Sequence, residues 1–258
     1  MIVRGMTKAE ICDSLFADQP KLKLKAEMLK LKIGKQFIKE GRFPSWKWVE
    51  YTHQDSRNRY LISFYAPSRN EALNPYVKYI AFSEIDGQRS VVNWGCWPYT
   101  PKGSAESIAT RHLDIYTRHF FEQYRERVWQ GNDMTYNERL CRFFTRNQMM
   151  IPLNMNSDIQ RKYEDYGEFA NVSYQVLDGT CFARSWWEGD EQTIGNKDSD
   201  FVSVVTYVTF VPMGMMTETQ KQAILKEGTK YIQGFYSSLY RQYQEESSCS
   251  PRLLGGNH

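Results

Sequence analysis

The sequence predicts an α+β fold with a mainly antiparallel sheet, on two observations. Two Asp-Gly pairs, Asp86-Gly87 and Asp178-Gly179, each join runs rich in β-formers, the strongest short-range hairpin signal. The long strand-like runs also do not alternate with helices in the regular βαβ manner that a parallel sheet requires.

Each element follows in chain order. Thr7-x-x-Glu10 is a capping box that opens a short helix to about Phe16. Asp18-Gln19-Pro20 ends it, and Pro20 suits the first position of a second helix running to about Glu40, with Gly41 as its stop. The apolar side of that second helix reads as Leu24, Met28, Leu31, Phe37 and Ile38, with lysines outward. Pro44 to Asp55 is a strand or an irregular aromatic segment. Arg59–Ala66, Tyr76–Ile85 and Ser90–Trp97 form a meander. Residues 104–148 read as helical, with a short strand over His112–Tyr116 as the alternative. Within them Thr117 is an N-cap, since the apolar pattern Phe120, Phe121, Tyr124, Val128 starts just after it. Thr135-x-x-Glu138 is a second capping box and turns Tyr136, Leu140, Phe143, Phe144 and Met149 inward. Phe169–Leu177 and Cys181–Trp187 make the second hairpin, and Phe201–Val211 is the best strand of the chain. Its alternation puts Ser203, Tyr207 and Thr209 on one face and Val202, Val204, Thr206, Val208 and Phe210 on the other. Thr217-x-x-Gln220 opens a closing helix to about Gln244. The domain reading is a basic helical segment 1–43, one α+β domain 44–245 and a loose tail 246–258.

Composition excludes several classes. In 258 residues, 41% are hydrophobic and 15% aromatic, too many for a disordered or low-complexity chain. No run of 18 apolar residues occurs and the first residues lack a signal-peptide core, so no membrane partner and a cytoplasmic location are expected. Cys12, Cys96, Cys141, Cys181 and Cys249 are widely spaced and odd in number, the pattern of reduced thiols. The net charge is only +3, but residues 21–42 hold seven Lys and one Arg against Glu27 and Glu40. That local excess, with Lys30, Lys32 and Lys35 at its centre, is either a solvated helix face or an electrostatic footprint for RNA or DNA. Arg139, Arg142 and Arg146 share a second helix face and form a basic ridge that suits phosphates.

No HExxH, Walker A, GxGxxG or GxSxG motif occurs, which argues against the common metalloprotease, NTPase, Rossmann and hydrolase sites. The chemistry-bearing run is Thr117-Arg118-His119-Phe120-Phe121-Glu122-Gln123-Tyr124-Arg125-Glu126-Arg127. With Thr117 as cap, His119 sits in the first helical turn, where the positive helix end favours a bound anion and lowers a histidine's pKa. A histidine there can act as general acid or base on a phosphate ester, with Arg127 two turns along near the same face. Arg184, in the run Arg184-Ser185-Trp186-Trp187, can clamp a phosphate beside aromatic rings that stack a base. The same helix offers ordinary i,i+4 ion pairs as a plainer explanation.

This run resembles the Ser/Thr-x-His-Ala-x-x-Arg-x-x-x-Arg helix of small proteins related to the barnase/EndoU/colicin/RelE-like metal-independent ribonucleases, many of them from toxin and mobile-element contexts. The resemblance covers residues 112–211. It implies a helix followed by a four-stranded antiparallel sheet, with a late strand supplying a Ser, Thr or Tyr. The resulting expectation is a nucleic-acid-interacting protein, a metal-independent ribonuclease or a degenerate relative of one. His119 would be acid/base, Arg127 and Arg184 would stabilise the pentacoordinate phosphate, and Tyr207 or Thr209 would position it. No cofactor and no metal are expected on this reading. Two alternatives stand beside it: a non-enzymatic interaction protein of a mobile element or phage with a protein partner, and a metal-dependent hydrolase using His112, His119, Glu122 and Glu126.

Overall fold

A computed structural model describes residues 2–104, 106–129, 134–148, 150–153, 170–194 and 199–218, with 221, 222, 226 and 229. The tail 246–258, Met149 and most of the closing helix expected after Thr217 lie outside the described residues.

Helix α1 spans Lys8–Glu40. Thr7 caps it with a reciprocal box: Glu10 N–H donates to Thr7 Oγ1 at 3.2 Å, and Thr7 N–H donates to Glu10 Oε2 at 2.7 Å. Gly41 ends it at φ 63°, in the left-handed region that glycine adopts without strain. The expected break at Pro20 does not occur; one helix runs through it. Proline removes one backbone hydrogen bond there, and buried contacts on both sides compensate. Leu15 and Leu22 are fully buried, and Asp18 accepts hydrogen bonds from Ser56 Oγ (2.5 Å), Asn58 Nδ2 (2.8 Å) and Tyr60 Oη (2.6 Å). The inward stripe also differs from expectation. Leu22, Ala26, Ile33 and Phe37 are buried, whereas Leu24, Met28 and Leu31 are 63%, 71% and 57% exposed.

Among the described residues nine strands form one sheet: β1 Ser45–Thr52, β2 Arg59–Ala66, β3 Tyr76–Ile85, β4 Gln88–Tyr99, β5 Ile108–Thr117, β6 Ile151–Leu153, β7 Val172–Val176, β8 Gly179–Glu188 and β9 Val202–Pro212. Their order is β1-β2-β3-β4-β5-β9-β8-β7-β6, with every neighbouring pair antiparallel except β5–β9. The sheet and its helices bear out the α+β, mainly antiparallel prediction. Asp86 and Gly87 form the β3–β4 turn with φ 52° and 77°, the doubly left-handed geometry of a two-residue hairpin. The second hairpin turns at Leu177-Asp178 instead, and Gly179 begins β8. A Cβ on Gly179 would stand 2.2 Å from the Val211 carbonyl oxygen, so the close approach of β9 requires glycine.

Residues 108–117 are a strand, so the strand alternative over His112–Tyr116 holds, longer than expected, and the helical reading of this stretch does not. Leu113 and Ile115 enter one core while His112, Asp114 and Tyr116 face the other side, a period of two rather than 3.6. Helices α2 (Arg118–Val128) and α3 (Tyr136–Arg146) follow. Helix α1 covers one sheet face over Ile62, Ala81, Val92, Leu113 and Val204. Helices α2 and α3 cover the other over Leu61, Ile80, Val91, Tyr116 and Val205. Adjacent residues such as Ile80 and Ala81 thus enter opposite cores, which is why the strands read as continuous apolar runs.

The expected alternation along β9 holds only to Tyr207. Opposite β8 the register jumps from Phe182↔Thr209 to Ala183↔Tyr207, leaving Val208 as an extra residue. This bulge returns Phe210 to the face that Tyr207 occupies, and both belong to the α2/α3 core. Cys12, Cys96, Cys141 and Cys181 are free. Among the described residues no helix is long and apolar enough to cross a membrane.

Candidate nucleic-acid interface

Strand β5 pairs with β9 only as far as Tyr116↔Tyr207, so β9 beyond that point has lost its neighbour. Helix α2 takes that place. Thr117 caps the helix by accepting from Phe120 N–H at 3.2 Å, and its hydroxyl donates to the Tyr207 carbonyl at 3.3 Å. One turn on, Gln123 Oε1 accepts from the Thr209 hydroxyl and from Phe210 N–H. Arg127 Nη1 donates to the Phe210 carbonyl. These side chains complete the hydrogen bonding of an exposed strand edge. Arg127 and Thr209 are therefore engaged with β9. His119 is exposed in the first turn of the capped helix, with Nε2 2.6 Å from Gln123 Nε2. Because Gln123 Oε1 serves β9, its amide group is the donor and His119 Nε2 the acceptor.

Tyr207 belongs to a different place. It is 2% exposed on the α2/α3 face, its ring stacked on Tyr116 with centroids 4.2 Å apart. Its hydroxyl lies 3.1 Å from Asp114 Oδ1, to which it donates, and 3.2 Å from the Met150 sulphur. Arg184 pairs with Thr206, one residue from the Ala183↔Tyr207 pair, so it points from the opposite face and is exposed. His119, Arg184 and Tyr207 do not meet at a common point.

Around Tyr207 the sheet and the end of α3 enclose a cleft of about 530 Å³. His112 Nε2 is 3.0 Å from Asp114 Oδ1, and His112 Nδ1 is 3.0 Å from Ser203 Oγ. A carboxylate only accepts, so in the neutral ring Nε2 carries the proton and Nδ1 accepts from the Ser203 hydroxyl. The three residue types are those of a hydrolytic triad, but Ser203 is 4% exposed and its hydroxyl faces the ring rather than the cleft. The set instead orients Asp114. Burial pushes the pKa values of Tyr116 and Tyr207 upward, so both remain protonated donors.

A second hollow, about 690 Å³, lies where the Thr52–Arg59 and Ile85–Gln88 turns approach α2 and α3. Six arginines line it: Arg57, Arg59, Arg89, Arg118, Arg125 and Arg139. They come from the β1–β2 loop, β2, β4, α2 and α3, and face Glu50, Glu84 and Glu122. Arg57 is held there at φ 61° by its N–H donating to the His53 carbonyl at 3.0 Å. Arg118 pairs with Glu122 at 2.6 Å and Arg59 stands 4.0 Å from Glu50. Arg139 is the most constrained. Its guanidinium lies 5.6 Å from the Tyr136 ring centroid, and its Nε is buried without a hydrogen-bond partner among the described residues. Burial, and then the nearby Arg125 charge, lower its pKa. Phe82, Phe121 and Tyr136 supply flat apolar wall.

The expected basic ridge is divided by its surroundings. Arg139 faces this groove, Arg142 pairs with Glu138 at 2.9 Å and lies 5.0 Å over Trp46, and Arg146 pairs with Asp178 at 2.6 Å. Lys30 pairs with Glu27 at 2.6 Å. Lys32 borders a hollow against Trp46 and Trp48, and Lys35 is exposed on α1. Arg118 and Arg125 belong to the α2 run that the sequence singles out, whereas Arg57, Arg59 and Arg89 carry no local signal. They reach the groove only through the strand order.

His112 on β5 and His119 on α2 share no helix face, which removes the geometry assumed for a metal site with Glu122 and Glu126. Among the described residues no group of three or more His, Cys, Asp and Glu side chains is placed to hold a metal ion. No protein-family model, no curated protein and no solved structure matches this chain.

Proposed function

We propose that this protein binds nucleic acid through the arginine-lined groove, contacting the phosphate backbone without cleaving it. The carrying observation is the convergence of six arginines from five segments on one hollow that holds three carboxylates. Arginine forks suit phosphate oxygens, and the aromatic wall suits a base stacked beside them. Arg139 strengthens the reading: it is half-buried, its Nε is enclosed without a partner among the described residues, and an incoming anion would relieve both that and the neighbouring Arg125 charge. Binding is preferred over cleavage because His119, Arg184 and Tyr207 lie apart.

Fluorescence anisotropy with labelled single-stranded RNA and DNA oligonucleotides tests this. Affinity should fall steeply with salt, the log–log slope giving about 0.7 per phosphate contact on a single strand. Arg125→Glu with Arg139→Glu should weaken binding at least about tenfold and reduce that slope by about one to two. Binding that ignores both substitutions, or no binding at low salt, overturns the proposal.

A further inference from the structure

The cleft around Tyr207 shares no lining residue with the arginine groove. Asn93 on β4 lies directly across from Asp114 on β5, so their side chains stand side by side on one sheet face. Asn93 is 6% exposed, lines the cleft, and its Oδ1 is buried with no hydrogen-bond partner among the described residues. Among the described residues both hydrogen bonds to Asp114, from His112 and Tyr207, go to Oδ1. That leaves Oδ2 as an acceptor beside the Asn93 carbonyl. A buried acceptor without a partner is costly, and in native proteins it calls for a specific explanation. A ligand that brings two adjacent N–H donors would satisfy both acceptors.

The rest of the cleft narrows the ligand class. Tyr65, Trp97 and Tyr174 give it flat walls. The Lys78 ammonium, 5.8 Å from the Phe144 centroid, supplies a cation on the same face. Crowding by the cleft walls lowers the Lys78 pKa while the Asp114 charge opposes that shift, and the side chain stays open to solvent, where an anion can reach it. Two adjacent donors on a planar ring with an anionic arm describe a guanine nucleotide, whose ring N–H and exocyclic amine are neighbours. Adenine offers one donor beside an acceptor on the corresponding edge. We propose that this cleft binds a guanine mononucleotide, with Asn93 and Asp114 reading the base and Lys78 its phosphate.

Calorimetric titration of the full chain with GMP, IMP and AMP tests the assignment. GMP should saturate at one site, with IMP, which lacks the exocyclic amine, and AMP each weaker by about tenfold or more. Asn93→Ala should weaken GMP about tenfold; because the Asn93 amide also bonds the Tyr116 hydroxyl, GMP affinity and not melting temperature is the readout. Lys78→Met should weaken GMP but not guanosine. Arg139→Glu, in the other hollow, should leave GMP binding intact. Equal affinity for GMP and AMP, no saturable binding, or loss of GMP binding in Arg139→Glu alone overturns the proposal; the last places the nucleotide in the arginine groove.

Discussion

Asp178 shows how one side chain holds the second hairpin to the helices. It accepts from the Tyr124 hydroxyl, from Asn147 Nδ2 at 3.1 Å and from Arg146 Nη2 at 2.6 Å, while its own N–H donates to Asn147 Oδ1 at 3.2 Å. Burial pushes its carboxyl pKa up, but Arg146, Tyr124 and Asn147 outweigh it and hold the carboxyl below the ordinary range. A depressed native pKa stabilises the fold above the unfolded value, about 3.9, and that stability disappears as pH falls through the native value. Asp178→Asn should therefore lower unfolding free energy near neutral pH by about 1–3 kcal/mol and flatten the acid limb of the stability profile. Urea denaturation at several pH values measures both. A variant that keeps the wild-type acid slope would show that the ionised carboxylate contributes nothing. The same position explains why a helix-face reading of Arg139, Arg142 and Arg146 was incomplete. Spacing along α3 put the three together, but the Asp178 turn that engages Arg146 arrives from 32 residues away.

Helix α1 carries two apolar stripes, and only packing distinguishes them. Leu22 lies at 0% exposure and Leu24 at 63%. Leu22→Ala should cost about 2–5 kcal/mol, whereas Leu24→Ser or Leu31→Ser should stay within about 0.5 kcal/mol. Thermal unfolding of the three variants checks this, and a large loss at Leu24 would sink the observed orientation. Elements with local chemical punctuation were legible from the sequence. The box at Thr7, the caps at Thr135 and Thr117, the Gly41 stop and the Asp86-Gly87 turn all depend on a few neighbouring residues, although Thr135 caps α3 without the reciprocal Glu138 bond of the expected box. Strands β2 and β3 have the ends their β-formers suggest. Elements set by distant partners were not legible. Strand β5 mixes polar residues into its apolar pattern because His112 and Asp114 face a cleft closed by β9 and α3. The strand alternative over His112–Tyr116 puts those two residues on one face, and the cleft lies there. The bulge at Val208 leaves no mark in a run of β-branched residues.

At the scale of the molecule, two antiparallel meanders, β1–β5 and β6–β9, meet along the parallel β5–β9 seam. Pairing within β3–β4 closes a two-residue turn, while the His112–Ser203 contact joins residues 91 apart. Closing so long a loop costs entropy before it is rewarded, so the seam should form last. Pulse-labelled hydrogen exchange during refolding should protect β3–β4 amides before those of Leu113 and Val204; simultaneous protection would refute this order. The β5–β9 seam also has a consequence for control. His112 and Asp114 come from one meander, Ser203 and Tyr207 from the other, and the cleft exists only where the two are joined. A ligand held by Asn93, Asp114 and Lys78 of one meander and walled by Tyr174 and Tyr207 of the other would rivet the two halves, so its occupancy would lengthen the life of the assembled chain against proteolysis.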